Sequence, residues 1–232
     1  MRSLAEQVSG YLPGWHVRGA TLAGEGAVEA ALETIGGVRP LIYPFFMADG
    51  WFVRKMLPQK IRSIQGDSFD ILPPLGLDPA VSAFCLDYLR NAALHEDLQP
   101  EKTTILLAAH GSPSDPRPRK AVDRVARFIT AADVFRALHL GFIDEQPYVA
   151  EAARVDGSAL CLPFFAGRGG HVEIDLPEAL AGAAFPGRLL DPIGLRPGVA
   201  GIIAAALARS RVSRPDCFAT SLGSGPARTC LR

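Results

Sequence analysis

Two histidines stand where their chemistry could be used. His110 follows the apolar run 105–109 and opens the polar loop Gly111-Ser112-Pro113-Ser114-Asp115-Pro116, while His171 follows Gly167-Arg168-Gly169-Gly170, again just past an apolar run, 159–162. Imidazole suits cobalt, nickel, iron or zinc and also accepts a proton near neutral pH. A lone histidine after a buried strand is more often packed or solvated than functional, so the pair carries more information than either member. Asp144 and Glu145 close the apolar run between them, and one of these carboxylates could join the pair; the plain alternative is a solvated strand end. Other uses of the loop fit less well. Histidine phosphatases carry an arginine before His-Gly, where this chain has Ala109, and no GxSxG elbow surrounds Ser112. The glycines before His171 lack the third glycine of a dinucleotide loop.

The elements that would hold these residues alternate in type. Residues 105–109 read as a buried strand; Ala121, Val122, Val125, Ala126, Phe128 and Ile129 recur at helical spacing; 138–143 and 159–162 read as further strands with a helix over 148–153 between them. Asp175 reads as a helix cap with Pro177 in the first turn, followed by a short strand over 188–190 and a closing helix from Pro197 to Arg209. Such alternation predicts an α/β fold, a parallel sheet covered on both faces with function at the carboxyl ends of its strands. His110 and His171 both fall there.

The chain also repeats itself. Residues 43–53 lie over 162–172 at an offset of 119, Leu57-Pro58 lies over Leu176-Pro177, and 74–81 lies over 192–199 at an offset of 118. Two tandem units are expected, 1–97 and 98–209, with 210–232 as a disordered tail rich in Arg, Ser, Gly and Pro. Only the second unit keeps the reactive residues. Phe52 stands where that unit has His171, Ala23 and Gly24 stand for Asp144 and Glu145 when Val28 is set on Val149, and the counterpart of His110 would precede Met1. The first unit is therefore degenerate and lacks its opening strand, which suggests a start further upstream, and Phe52 reads as a packing residue whose loss would mainly destabilise.

Composition narrows the partners. Lys plus Arg and Asp plus Glu number 24 each in 232 residues, so no overall basic field draws nucleic acid, and any anion site must be local. The four cysteines lack zinc spacing, Cys161 reads as a small buried hydrophobe, and no apolar run is long enough to span a bilayer. A cytoplasmic protein is expected.

Residues 105–116 (ILLAAHGSPSDP) taken with 162–177 (LPFFAGRGGHVEIDLP) resemble the sirohydrochlorin chelatase family, the small cobalt- or iron-inserting relatives of ferrochelatase. The resemblance covers about residues 1–209, and its two-unit members show the same internal repeat. It implies two flavodoxin-like units with a tetrapyrrole cleft between them, in a monomer with pseudo-two-fold halves or a weak dimer. It further implies His110 and His171 as metal ligands or bases, with an acid at Asp144 or Glu145. A divalent metal enters as substrate, cobalt first and iron or nickel next, with no organic cofactor. The carboxylates of the anionic tetrapyrrole would be held by Arg168 and by Ser112 in the His110 loop, with Arg117, Arg119 and Lys120 next. The competing reading is a metal- or tetrapyrrole-binding protein without turnover.

Overall fold

The computed structural model describes residues 3–36 and 38–212. The first half contributes helices α1 (Leu4–Tyr11) and α2 (Ala27–Ile35), strand β1 (Leu41–Ile42), helix α3 (Leu57–Gln65), strand β2 (Asp70–Ile71) and helix α4 (Pro79–His95). The second half runs β3 (Thr104–Ala109), α5 (Pro116–Ala131), β4 (Ala137–Phe142), α6 (Val149–Ala152), β5 (Ala159–Pro163), α7 (Leu176–Gly182), β6 (Arg188–Leu189) and α8 (Val199–Val212). Strands β4, β3, β5 and β6 pair in that order, all parallel, and β1 pairs with β2, also in parallel. The parallel α/β architecture is the one expected.

Every residue of β3 is buried, and alternate side chains serve two cores, as the two-residue period of a strand requires. Ile105, Leu107 and Ala109 enter a core shared by both halves, reaching from Val8 and Leu12 through Leu89 to Ile203 and Leu207. Leu106 and Ala108 face a smaller one with Val149, Ala153, Cys161, Leu176 and Leu180. The first half builds a counterpart of that small core from Val28, Leu32, Leu57 and Ile61. These are the residues that the repeat offsets place on Val149, Ala153, Leu176 and Leu180. Across the large core, α1 packs on α8 and α4 packs on α5, so the first helix of each half lies against the last helix of the other. Cys161 is fully buried, as expected, and so is Cys85, whose thiol burial pushes up to about 12.

The repeat also appears in irregular backbone. Wide, π-helical turns occupy Phe52–Met56 and His171–Asp175, and 3-10 turns occupy Leu75–Leu77 and Ile193–Leu195. The amide of Gly76 donates to Phe46 O, and that of Gly194 to Phe165 O, both at 3.0 Å. At each glycine the neighbouring chain comes so close that a Cβ would sit 1.8 Å from Met47 O or 2.1 Å from Ala166 O.

Three expectations need correction. The first half has no strand over the residues matching β4, leaving β1 and β2 as its described strands. Asp175 is not a helix cap: its φ of −62° and ψ of −42° are helical, and it ends the wide turn that runs directly into α7. Residues 210–212, expected in the tail, continue α8 to Val212, while Arg209 near its end pairs with the buried Asp78 at 2.9 Å; the rest of the expected tail, 213–232, lies outside the described residues.

Because no side-chain rotation relieves a clash with backbone, Gly76→Ala and Gly194→Ala are each expected to lower unfolding free energy by about 1–3 kcal/mol. Denaturant titration checks this, and values within about 0.5 kcal/mol of wild type would show that the approach can relax.

Candidate metal-delivery site

His110 and His171 meet. Their ring centroids lie 4.6 Å apart with the planes at 83°, an edge-to-face approach, although 61 residues separate them in the chain. Strand pairing explains it: β3 and β5 are adjacent and parallel in register, so the segments that leave their carboxyl ends emerge side by side. His110 is the first residue after β3, and His171 opens the wide turn after the Gly167–Gly170 loop that follows β5.

Each imidazole is held from behind. His171 Nδ1 lies 2.6 Å from Asp175 Oδ2, one turn further on. His110 Nδ1 lies 3.0 Å from Gly111 O and 3.3 Å from Asp144 Oδ2. Carbonyl and carboxylate oxygens only accept, so each Nδ1 carries a proton, and in the neutral form of each ring the lone pair is on Nε2. The carboxylate–imidazole arrangement orients a ring for metal ligation and raises its basicity. Both histidines are about half exposed, 49% and 45%, so solvent, ions or a ligand can reach them. Among the described residues no group of three or more His, Cys, Asp or Glu converges as a metal cage.

The structure separates the two acids that the sequence left open. Asp144 faces His110. Glu145 turns the other way: Oε1 accepts from Ser112 N at 3.1 Å and Oε2 pairs with Arg119 Nε at 3.0 Å, with the carboxylate largely buried. Glu145 braces the His110 loop rather than facing the rings. Gly111 adopts φ +75°, and a Cβ there would meet Glu145 Cγ at 2.7 Å, so the brace needs glycine. The Ser112 hydroxyl accepts from Asp115 N at 3.2 Å. Asp115 in turn caps α5, accepting from Arg117 N at 3.0 Å, and the Arg117 guanidinium beside it holds its carboxyl below the usual range. Arg168 reaches Asp191 at 2.8 Å and remains 57% exposed. Asp175 is the partner that sequence reasoning missed. Its position four residues after His171 was legible, but its reading as a cap hid it.

In the first half the same turn carries Phe52 and Met56 at the positions of His171 and Asp175. The pair and its support are lost together. Phe52 is 51% exposed, so it is not the packing residue expected from sequence.

The fold is that of a chelatase-like protein, a parallel α/β chain, and two imidazoles meet at its neighbouring strand ends. The CbiX family model matches residues 104–210. The structure of CbiX described as the terminal enzyme for biosynthesis of siroheme in denitrifying bacteria superposes with a TM-score of 0.82 at 40% identity, covering 89% of each chain. The chain belongs to the CbiX family of class II chelatases. DR2241 from Deinococcus radiodurans, a multi-domain protein with structural similarity to chelatases, matches at 23% identity and TM-score 0.71 over 92% of this chain and 50% of its own. SirB from Bacillus subtilis with Fe3+ matches at 16% identity and TM-score 0.68, over 92% and 90%. No curated protein matches the chain. No helix among the described residues is long and apolar enough to cross a membrane.

Two outcomes test the division between the acids. Glu145→Ala, which strands the Ser112 amide and removes the carboxylate partner of Arg119, is expected to cost about 1–3 kcal/mol of stability, whereas the exposed Asp144→Ala should stay within about 0.5 kcal/mol. Equal losses in thermal unfolding would refute the assignment. For Asp115 the folded carboxyl titrates below its unfolded value, so its contribution is present above the ordinary aspartate range near ~4 and is lost as pH falls below it. Asp115→Ala should therefore be less stable than wild type at neutral pH, by about 1 kcal/mol for the lost cap, with the gap closing in acid. A gap independent of pH would contradict the ionic cap.

Proposed function

We propose that the chain inserts a divalent metal into a sirohydrochlorin-type tetrapyrrole, with His110 and His171 delivering the metal and accepting the pyrrole protons. The observation that carries this reading is the facing pair of imidazoles, each with Nδ1 engaged by an oxygen. Insertion exchanges two pyrrole N–H protons for one divalent ion, so a site must first bind the ion loosely, then release it, and then take up protons. Two neutral imidazoles provide two ligands for a first-row ion without the grip of a full cage. Once the metal has passed to the macrocycle nitrogens, the vacated Nε2 atoms are bases placed at the departing protons. Asp144 and Asp175 steady the imidazolium forms, and Glu145 keeps the His110 loop in place. Arg168 has guanidinium donors beyond its contact with Asp191 and can offer them to a substrate carboxylate.

Both ferrous and cobaltous ions suit this donor set. The similarity to a terminal enzyme of siroheme synthesis favours iron, since siroheme is an iron tetrapyrrole, and cobalt is the alternative that the ligands equally allow.

Purified protein mixed with sirohydrochlorin and Fe2+ or Co2+ should convert the macrocycle spectrum faster than the spontaneous reaction. His110→Ala and His171→Ala should fall to the spontaneous rate while remaining folded, and Asp175→Asn should lose about 10- to 100-fold. Histidine variants as fast as wild type would end this reading, and tight binding without turnover would leave a binding protein.

A further inference from the structure

Resting on that reading of the site, we propose that the first half's wide turn has exchanged metal chemistry for substrate recognition. Trp51 and Phe52 form an apolar ledge for the tetrapyrrole, and Arg54 with Lys55 hold its carboxylates. The two turns are equivalent in backbone: each runs five residues, each leads into a helix opening with Leu-Pro, and each anchors on a buried valine, Val53 or Val172, both 7% exposed. What differs is chemistry at the exposed positions. His171 and Asp175 become Phe52 and Met56, while Glu173 and Ile174 become Arg54 and Lys55. One turn carries an imidazole and two carboxylates; its counterpart carries an aromatic ring and two cations.

The aromatic side chains form an ordered surface. Phe52 stacks on Phe46 with centroids 6.2 Å apart and planes at 14°, and Trp51 meets Phe52 edge-on at 5.2 Å. Yet Trp51 is 57% and Phe52 51% exposed. Leaving two large aromatic residues in water on a short turn is unfavourable unless something covers them. The turn also lies beside the loop that begins at His110. A Cβ on Gly50 would sit 3.9 Å from Asp115 Oδ2, Arg54 acts electrostatically on Asp115, and Asp49 acts on Arg117. Arg54 makes a long contact of 3.4 Å with Asp49 and is itself 57% exposed, so its other donors can reach a ligand. An apolar face bordered by cations matches a tetrapyrrole, whose flat ring is apolar and whose rim is anionic. A chain with no net charge needs such a local cluster to attract that substrate.

The test is binding without metal, which leaves insertion out of the measurement. Metal-free sirohydrochlorin is titrated into the full chain while tryptophan fluorescence is followed in a Trp15→Phe background, where Trp51 is the single reporter. Quenching of Trp51 is expected on binding. Arg54→Gln/Lys55→Gln should raise Kd by about five- to ten-fold at low ionic strength, and the difference should shrink in high salt, where exposed charges are screened. Arg62→Gln, which removes a cation from the neighbouring helix, should stay near the parent value. Binding that leaves Trp51 unquenched, an unchanged Kd in the double variant, or an equal loss in Arg62→Gln overturns this proposal alone. A parent protein that binds no macrocycle overturns both it and the insertion reading.

Discussion

The site depends on where one strand stops. β3 is buried on both faces and hydrogen-bonded along both edges, so neither its register nor its end can drift without unpairing β4 and β5 together. Ile105, Leu106 and Leu107 are fully buried, each worth about 1.5–3 kcal/mol relative to exposure, and they lock the strand along its length. His110 is the first residue beyond that lock, and the adjacent parallel strand delivers His171 to the same side. His110 continues directly from a rigid strand, residues 164–170 bring His171 beside it at 4.6 Å, and the two segments are braced by Glu145 and Asp175.

The two halves are bound into one core by exchange of helices. α1 lies on α8 and α4 on α5, while Arg124 of α5 donates to the carbonyls of Gly76, Leu77 and Asp78 across the boundary. This accounts for how the first half can hold only two strands of two residues each among the described residues. It is not asked to close a sheet of its own, because its helices find apolar partners in the large shared core. A half needed for packing can change its exposed residues while keeping Val53, Gly76 and Ile61.

Much of this was legible in the sequence, and for physical reasons. A buried parallel strand is a short apolar run, so 105–109 and 159–162 announced themselves, and with them the two histidines at their ends. Equal spacing of Pro-Phe-Phe and Pro-Φ-Gly-Leu, where Φ is apolar, revealed the repeat because those blocks carry the tight approaches at Gly76 and Gly194. Pairings were harder. Asp175 before Leu176-Pro177 has the composition of a cap, and only the wide turn, which has no composition signal, sends its carboxylate back to His171. Asp144 and Glu145 are adjacent acids that differ in direction alone. The exposure of Phe52 was equally hidden, since an aromatic residue among apolar neighbours reads as core.

The central claim is that His110 and His171 act as one metal-accepting pair through their Nε2 atoms. Imidazole nitrogen–proton correlation spectra of 15N-labelled protein, titrated with Co2+, address it directly, because the chain has five histidines that can be told apart by substitution. The account predicts that both rings start as Nδ1–H tautomers and that their Nε2 signals are perturbed together by one equivalent of metal, with His139 and the others unaffected at that ratio. Nε2–H tautomers, independent titration of the two rings, or first perturbation at another histidine would contradict it.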